Sequence, residues 1–157
     1  MLLAHGWAVI QSSREKYKRS DPDDWFVLDE ESKKEDEELW KRFRVWMSEN
    51  DDSFVVWQLT EQLNNHHGLL QYSISRNHRS SVLWGMLEWL ANSSVSTYGI
   101  VYVHDDEDQE NNKNYGRGTE DHSNNYRVWR VLQGEVVELE DSFLSPIVPR
   151  ILPNFEA

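Results

Sequence analysis

The hydrophobic positions along this chain of 157 residues follow two different spacings. Short runs rich in Val, Ile, Leu and aromatic residues are typical of β-strands. Two longer segments between these runs repeat their apolar residues every three or four positions, which predicts helices with one buried face. The predicted element order is β-α-β-β-α-β-β-β. The six predicted strands cover residues 7–11, 54–59, 69–75, 98–103, 126–132 and 135–139.

The two predicted helices have recognisable ends. The first begins at Asp29 or Ser32, with acidic residues in its first turns, where the helix dipole favours negative charge. It ends within residues 48–52. The second begins after a capping hydroxyl, either Ser80 or Ser81. Their apolar stripes are Leu39, Trp40, Phe43, Trp46 and Met47 in the first, and Val82, Leu83, Met86, Leu87 and Leu90 in the second.

This order of elements predicts an α+β fold with one largely antiparallel β-sheet and two helices packed on one face. The length fits a single domain over residues 1–157 that buries a sizeable core. Residues 105–125 are acidic, rich in Asn and almost free of apolar side chains. A stretch of this length without predicted structure is usually functional or disordered. We therefore expect a long acidic surface loop there.

The excess of acidic residues limits the kinds of molecule that this protein is expected to bind. Acidic residues outnumber basic ones by 28 to 16, giving a net charge of −12. Such a chain repels nucleic-acid phosphates and anionic membrane surfaces, so neither is a predicted partner. A basic protein would instead be attracted and its encounter accelerated. The chain also lacks cysteine, any run near the roughly 20 apolar residues of a membrane span, and signal-peptide features. These features favour a cytoplasmic protein.

Four consecutive acids follow the predicted strand at residues 98–103, and they are Asp105, Asp106, Glu107 and Asp108. Carboxylates cannot be buried without an opposite charge, so the strand is expected to carry them to the surface. The cluster indicates a site for a metal ion, a basic small molecule or a basic protein. The spacing lacks the Gly and Glu of an EF-hand loop, which weighs against a metal. The structural alternative is that these acids cap backbone amides or pair with Arg79.

The remaining candidate chemistry is sparse. His104 and the distant His122 could act as an acid–base pair, but we expect both at the surface because nothing orients them. No nucleophile elbow and no phosphate-binding glycine loop is present. We therefore predict no catalytic residue, no cofactor and no metal. An enzyme that uses Asp105, Asp106 and His104 to hold a hydrolytic metal ranks third, after the two protein-binding hypotheses given below. Any tryptophan left on the surface would be a candidate interface anchor.

Four short patches together resemble a known family. They are His5-Gly6-Trp7, Asn77-His78-Arg79, the strand Tyr98-Gly99-x-x-Tyr102 running into the four acids, and the ending Asp141-Ser142-Phe143-Leu144-Ser145-Pro146. In this order they resemble the immunity protein 7 family of bacterial polymorphic toxin systems. The resemblance spans nearly the whole chain. Its most specific parts are the Tyr-Gly strand with its acids and the Leu-Ser-Pro ending.

The resemblance implies a single α+β domain without catalysis, located in the bacterial cytoplasm. Such an immunity protein binds and blocks a toxin domain made by its own or a sibling cell. Toxins in these systems are often nucleases or other enzymes that act in the cytoplasm, delivered by contact-dependent or type VI secretion. The expected role is thus that of an antitoxin in interbacterial competition. The alternative is a small acidic adaptor domain for protein interaction, without a toxin partner.

Together these arguments predict a monomer that occludes the active site of a basic cognate toxin in a one-to-one complex. Nuclease clefts carry Lys and Arg for phosphate, and carboxylates placed there would mimic phosphate groups. The predicted toxin-binding residues are Asp105, Asp106, Glu107, Asp108, Glu110, Glu120 and Asp121. A second predicted patch, in which acids precede an aromatic residue, is Asp23, Asp24 and Trp25.

Overall fold

A computed structural model of the protein describes residues 1–12, 30–50, 52–63, 66–77, 80–108, 121–123 and 126–139. These residues form six strands and two helices in the predicted order, and the predicted α+β class is confirmed. The elements are β1 (Leu2–Ile10), α1 (Glu30–Asn50), β2 (Val55–Leu63), β3 (His67–Arg76), α2 (Ser81–Ser93), β4 (Tyr98–Asp105), β5 (Arg127–Leu132) and β6 (Glu135–Leu139).

The strands form one open sheet in the order β2-β3-β1-β4-β5-β6, and every neighbouring pair is antiparallel. The first strand lies in the interior of this sheet, with β3 on one side and β4 on the other. It begins at Leu2 rather than at residue 7, so the predicted strand was too short. The polar His5 and the glycine Gly6 interrupt the apolar run in the sequence. Both nevertheless pair with residues of the two flanking strands.

Both helices pack on the same face of the sheet, as predicted. The Phe43 ring of α1 lies 5.6 Å from the Trp57 ring of β2 and 5.1 Å from the Trp89 ring of α2, so the three elements meet there. The indole nitrogen of Trp40 donates a hydrogen bond of 2.8 Å to the carbonyl oxygen of Ile10 at the end of β1. These contacts place the hydrophobic core between the helices and the sheet.

The helix starts agree with the sequence signals. Helix α1 begins at Glu30, between the two residues predicted to start it. For α2 the cap is Ser80, whose hydroxyl accepts a hydrogen bond of 3.3 Å from the backbone amide of Leu83. Within the described ranges, neither helix is long and apolar enough to cross a lipid bilayer.

Two glycines set the spacing of the central strands on the helix side. A Cβ atom at Gly99 would lie 2.4 Å from the carbonyl oxygen of Trp7 and 2.7 Å from the Cβ atom of Ala8. At Gly6 it would lie 2.7 Å from the hydroxyl of Tyr72, whose pKa is raised by burial. Because successive side chains of a strand point to opposite faces, the neighbours of these glycines lie on the face away from the helices.

Candidate functional site

The second face of the sheet carries neither helix. We call this surface, on the β1, β2, β3 and β4 strands, the open face. The strand register places the following residues on it: Leu3, His5, Trp7 and Val9 of β1; Val56, Gln58 and Thr60 of β2; His67, Leu69, Gln71, Ser73 and Ser75 of β3; and Tyr98, Ile100, Tyr102 and His104 of β4.

Aromatic rings meet in pairs at the centre of the open face. The His5 ring stacks on the Tyr102 ring, its partner across the strand pair, at 5.3 Å between centroids. The edge of Tyr126 meets the same His5 ring at 5.9 Å. The Trp7 and Tyr98 rings are perpendicular at 6.0 Å. Such contacts hold the rings in defined orientations. These five residues are hereafter the aromatic cluster.

Trp7 is a tryptophan left on the surface, which makes it a candidate interface anchor. Its side chain is 41% exposed, whereas the other tryptophans of the described ranges are buried or half-buried against the core. Trp25 lies outside those ranges. An exposed Trp in an ordered strand is the kind of residue that anchors protein interfaces.

A groove of about 310 Å³ opens on the open face next to the aromatic cluster. Apolar side chains form much of its wall, and two of them are strongly exposed: Val56 at 73% and Phe54 at 51%. The Arg76 guanidinium lies over the Phe54 ring at 5.7 Å and pairs with Asp52 at 2.8 Å, which supports one wall. The groove is lined by Leu3, His5, Phe54, Val56, Ser73 and Tyr126, among others.

The four strands of the open face carry no charged side chain on it, although the whole chain is strongly acidic, and the exposed Arg130 of β5 borders the face beside Ile100. None of the strand positions that define it holds an Asp, Glu, Lys or Arg. Covering an uncharged face does not require the desolvation of ionised groups, which is the costly part of burying polar surface. This face can therefore be covered by another surface at small electrostatic cost.

Three of the four predicted acids border one end of the open face. Because Leu2 pairs with Asp105 and Leu3 pairs with His104, the acids emerge beside the start of β1. The Asp105 carboxylate accepts a hydrogen bond of 3.0 Å from the backbone amide of Glu107. The exposed Asp106 carboxylate forms an ion pair with the terminal ammonium group of Met1. The cluster is thus partly a capped turn, in line with the structural alternative considered for it.

Asp108 differs from the other three acids because its carboxylate is buried and hydrogen-bonded inside the protein. It is 3% exposed and accepts hydrogen bonds from the backbone amide of His122 at 3.0 Å and from Arg127 at 2.7 Å. Arg127 also pairs with Glu138, and its guanidinium lies over the Trp129 ring at 5.2 Å. Burial acts to lower the pKa of Arg127, but the hydrogen bonds to Glu138 and Asp108 outweigh it, so the pKa is raised. The cation beside Asp108 is therefore Arg127, while Arg79 lies outside the described residues.

His104 is buried, which corrects the expectation of a surface histidine. Its exposure is 4%, because it lies on the interior strand β4 with the Tyr126 ring 5.7 Å away. Within the described part of the chain, neither of its ring nitrogens has a hydrogen-bond partner. The side chain therefore forms no hydrogen-bonded acid–base pair with His122 there.

Replacing His104 with Leu should raise the free energy of unfolding by about 1 kcal/mol, because a buried polar group without a partner costs roughly 1–3 kcal/mol. Urea unfolding followed by tryptophan fluorescence measures the change. His5→Leu is the matched control, since His5 is exposed on the same face. A loss of stability in the His104 variant would show that its ring makes a favourable polar contact.

The other predicted site residues are distributed as follows. Asp121 is exposed, and its carboxylate accepts a hydrogen bond of 2.9 Å from the backbone amide of Ser123. It directly precedes His122, whose backbone amide donates a hydrogen bond to Asp108, and it therefore lies near Asp108 in the fold. The described residues contain no group of three His, Asp or Glu side chains able to hold a metal ion. The predicted residues outside the described ranges are Glu110, Glu120, Asp23, Asp24 and Trp25.

Sequence reasoning missed the open face as a candidate site. Its signal was present, because β4 has apolar or aromatic residues at both alternating sets of positions while both helices were predicted on one face. Apolar residues on the second face then had no predicted cover.

Comparison with known proteins gave one match. A family model described as Immunity protein 7 matches residues 21–153 of this chain. The matched range contains three of the four patches that carried the resemblance and leaves out His5-Gly6-Trp7. Neither the curated proteins nor the solved structures gave a match.

Proposed function

Since this chain belongs to the immunity protein 7 family, we propose that it binds a cognate bacterial toxin domain and neutralises it as a stoichiometric inhibitor. The observation that carries the proposal is the family match over residues 21–153, which includes both helices and five of the six strands. The protein acts in this proposal by binding alone and catalyses no reaction.

The proposed inhibition is occlusion of a basic active site, such as that of a nuclease. Nucleases hold phosphate groups with Lys and Arg side chains. A protein of net charge −12 is attracted to such a cleft over a long range, and this attraction speeds the encounter. Once bound, its carboxylates compete with the phosphate groups of the substrate.

The acids proposed for toxin contact are Asp105, Asp106 and Glu107, together with Asp121. The exposure of Asp106 and Asp121 supports this choice. Asp108 is already paired inside the protein and is less suited to contact a partner. The structure thus offers a reason to separate Asp108 from the three acids that precede it when the patch is tested.

The direct test is co-expression with the C-terminal domain of a large secreted polypeptide, sought among the products of the genes immediately upstream. We expect a one-to-one complex on co-purification, and survival of cells that express both proteins. An activity assay on the purified complex would then name the chemistry of the toxin. Failure to bind and to rescue would contradict the proposal and favour an adaptor domain of the same fold.

The contribution of the acids can be measured by the double substitution Asp106→Lys and Glu107→Lys. We expect the association rate to fall by about tenfold and to depend less on salt, because steering by exposed charges is screened by ions. Glu37→Lys with Glu38→Lys is the matched control, since it makes the same change in net charge on the exposed side of α1. Equal effects of the two double variants would show that only total charge matters.

A further inference from the structure

The open face has a groove, an exposed tryptophan and an acidic border on one contiguous surface. We infer that this face is the surface that the toxin covers, and that an aliphatic or aromatic side chain of the toxin enters the groove while adjacent Lys or Arg side chains meet the acids. This inference rests on the proposed function and names the surface that performs it.

Large apolar side chains are exposed together on and beside the open face. Trp7, Val56 and Phe54 are each more than two-fifths exposed and lie on or beside the same face. Single exposed apolar residues are common, but a contiguous patch rimmed by polar groups marks an interaction surface. Val56 lies on β2 at the edge of the sheet and Trp7 lies in its interior, so the patch extends across several strands.

The charged residues around the open face lie at its border and not at its centre. Interface cores are depleted of charged residues and have polar rims, which is the pattern found here. The uncharged strand positions end at Leu3 and His104, directly beside Asp105. A partner that complements this surface has an apolar side chain with basic neighbours on one side. A second copy of this chain fits less well than a basic partner, because two chains that each carry a net charge of −12 repel each other.

The aromatic rings of the open face are pre-organised for binding. The rings of His5 and Trp7 are already held by Tyr102 and Tyr98 in the unbound protein, at centroid distances of 5.3 and 6.0 Å. A surface whose side chains are fixed before binding loses less conformational entropy on association. Aromatic residues held in this way are the usual anchors of tight interfaces.

The test compares three single variants in titration calorimetry against the purified toxin domain. Trp7→Ala removes the central aromatic side chain, and Val56→Glu places a charge on the uncharged face. We expect each substitution to raise the dissociation constant by about thirtyfold or more, as is typical of residues that anchor interfaces. The matched control is Val45→Glu, at a position of α1 that is 48% exposed, and should change it by less than threefold.

Val56→Glu also guards against a folding artefact. Val56 is 73% exposed, so the unfolding midpoint of Val56→Glu should stay close to that of the wild type. The midpoint of Trp7→Ala can fall, because this variant loses the contact between Trp7 and Tyr98. If the wild type binds the toxin domain and both Trp7→Ala and Val56→Glu bind it equally well, this inference is overturned. The proposed function would then still stand. Absence of binding by the wild type would instead overturn the proposed function and this inference with it.

One more outcome assigns the face to a different occupant. Sedimentation of the free protein should show a monomer for the wild type and for Val56→Glu. A wild-type dimer that Val56→Glu converts into a monomer would assign the open face to self-association and overturn the inference.

Discussion

Replacing Asp108 with Ala should lower the free energy of unfolding by roughly 3 kcal/mol, the lower end of the cost of breaking a buried ion pair, because Arg127 keeps its pair with Glu138. The Arg127 side chain beside it is 14% exposed and that of Asp108 is 5% exposed, so water cannot take over the lost interaction. The substitution also removes the acceptor for the backbone amide of His122.

The measurement is urea unfolding followed by circular dichroism, with Asp106→Ala as the matched control. Asp106 belongs to the same run of acids but its side chain is 42% exposed, and an exposed ion pair contributes at most about 1 kcal/mol. Equal losses in the two variants would contradict the division of the cluster into a structural Asp108 and an exposed Asp106. Asp108→Asn is a useful third variant, because it keeps the size and some hydrogen bonds but removes the charge.

Replacing Phe43 with Ala should lower the free energy of unfolding by roughly 3–5 kcal/mol, the usual cost of deleting a buried aromatic ring. The side chain is fully buried, and its ring contacts Trp57 on β2 and Trp89 on α2. The cavity would lie where the first helix, the second helix and the sheet meet. Since both aromatic contacts of the ring are with tryptophans, we also expect a change in near-ultraviolet circular dichroism.

Val45→Ala is the control for this substitution because it lies on the same helix with an exposed side chain. We expect it to change stability by no more than about 0.5 kcal/mol. A similarly small effect for Phe43→Ala would mean that the two helices can close around the missing ring, and that the core is less tightly packed than the ring distances indicate. In either case the open face should keep its affinity for the toxin domain in whatever fraction of the protein remains folded.

The positions of most elements could be predicted from the sequence because they depend on local periodicity. The stripe that contains Leu39, Trp40 and Phe43 repeats with a helical period, and all three residues are buried in α1. The start of β1 could not be predicted in the same way. Residues 2–6 include His5 and Gly6, and they form a strand because β3 and β4 supply hydrogen bonds on both sides. Such support comes from residues more than 60 positions away, which local patterns do not reveal.

The roles of the four acids also depend on distant residues that the local sequence pattern does not reveal. In the sequence, Asp106 and Asp108 are two equivalent members of one acidic run. In the fold, Asp106 meets the chain terminus, 105 positions away, whereas Asp108 is buried against Arg127, 19 positions away. Burial and a fixed cation, rather than residue type, decide which carboxylate serves the fold. The predicted contact of these acids with a toxin stays a prediction.

The sequence by itself determined the fold class, the order of the elements, the acidic charge and the family, because each follows from local pattern, composition or the residues of short motifs. Only the tertiary structure decided that His5 and Trp7 lie next to Tyr102 and Tyr98 on a face without helices. The pairing of β1 with β4 joins residues 89 to 103 positions apart. Because side chains alternate along a strand, the glycines then face the core and the aromatic rings face outward. The exposed surface proposed for binding is a product of that pairing.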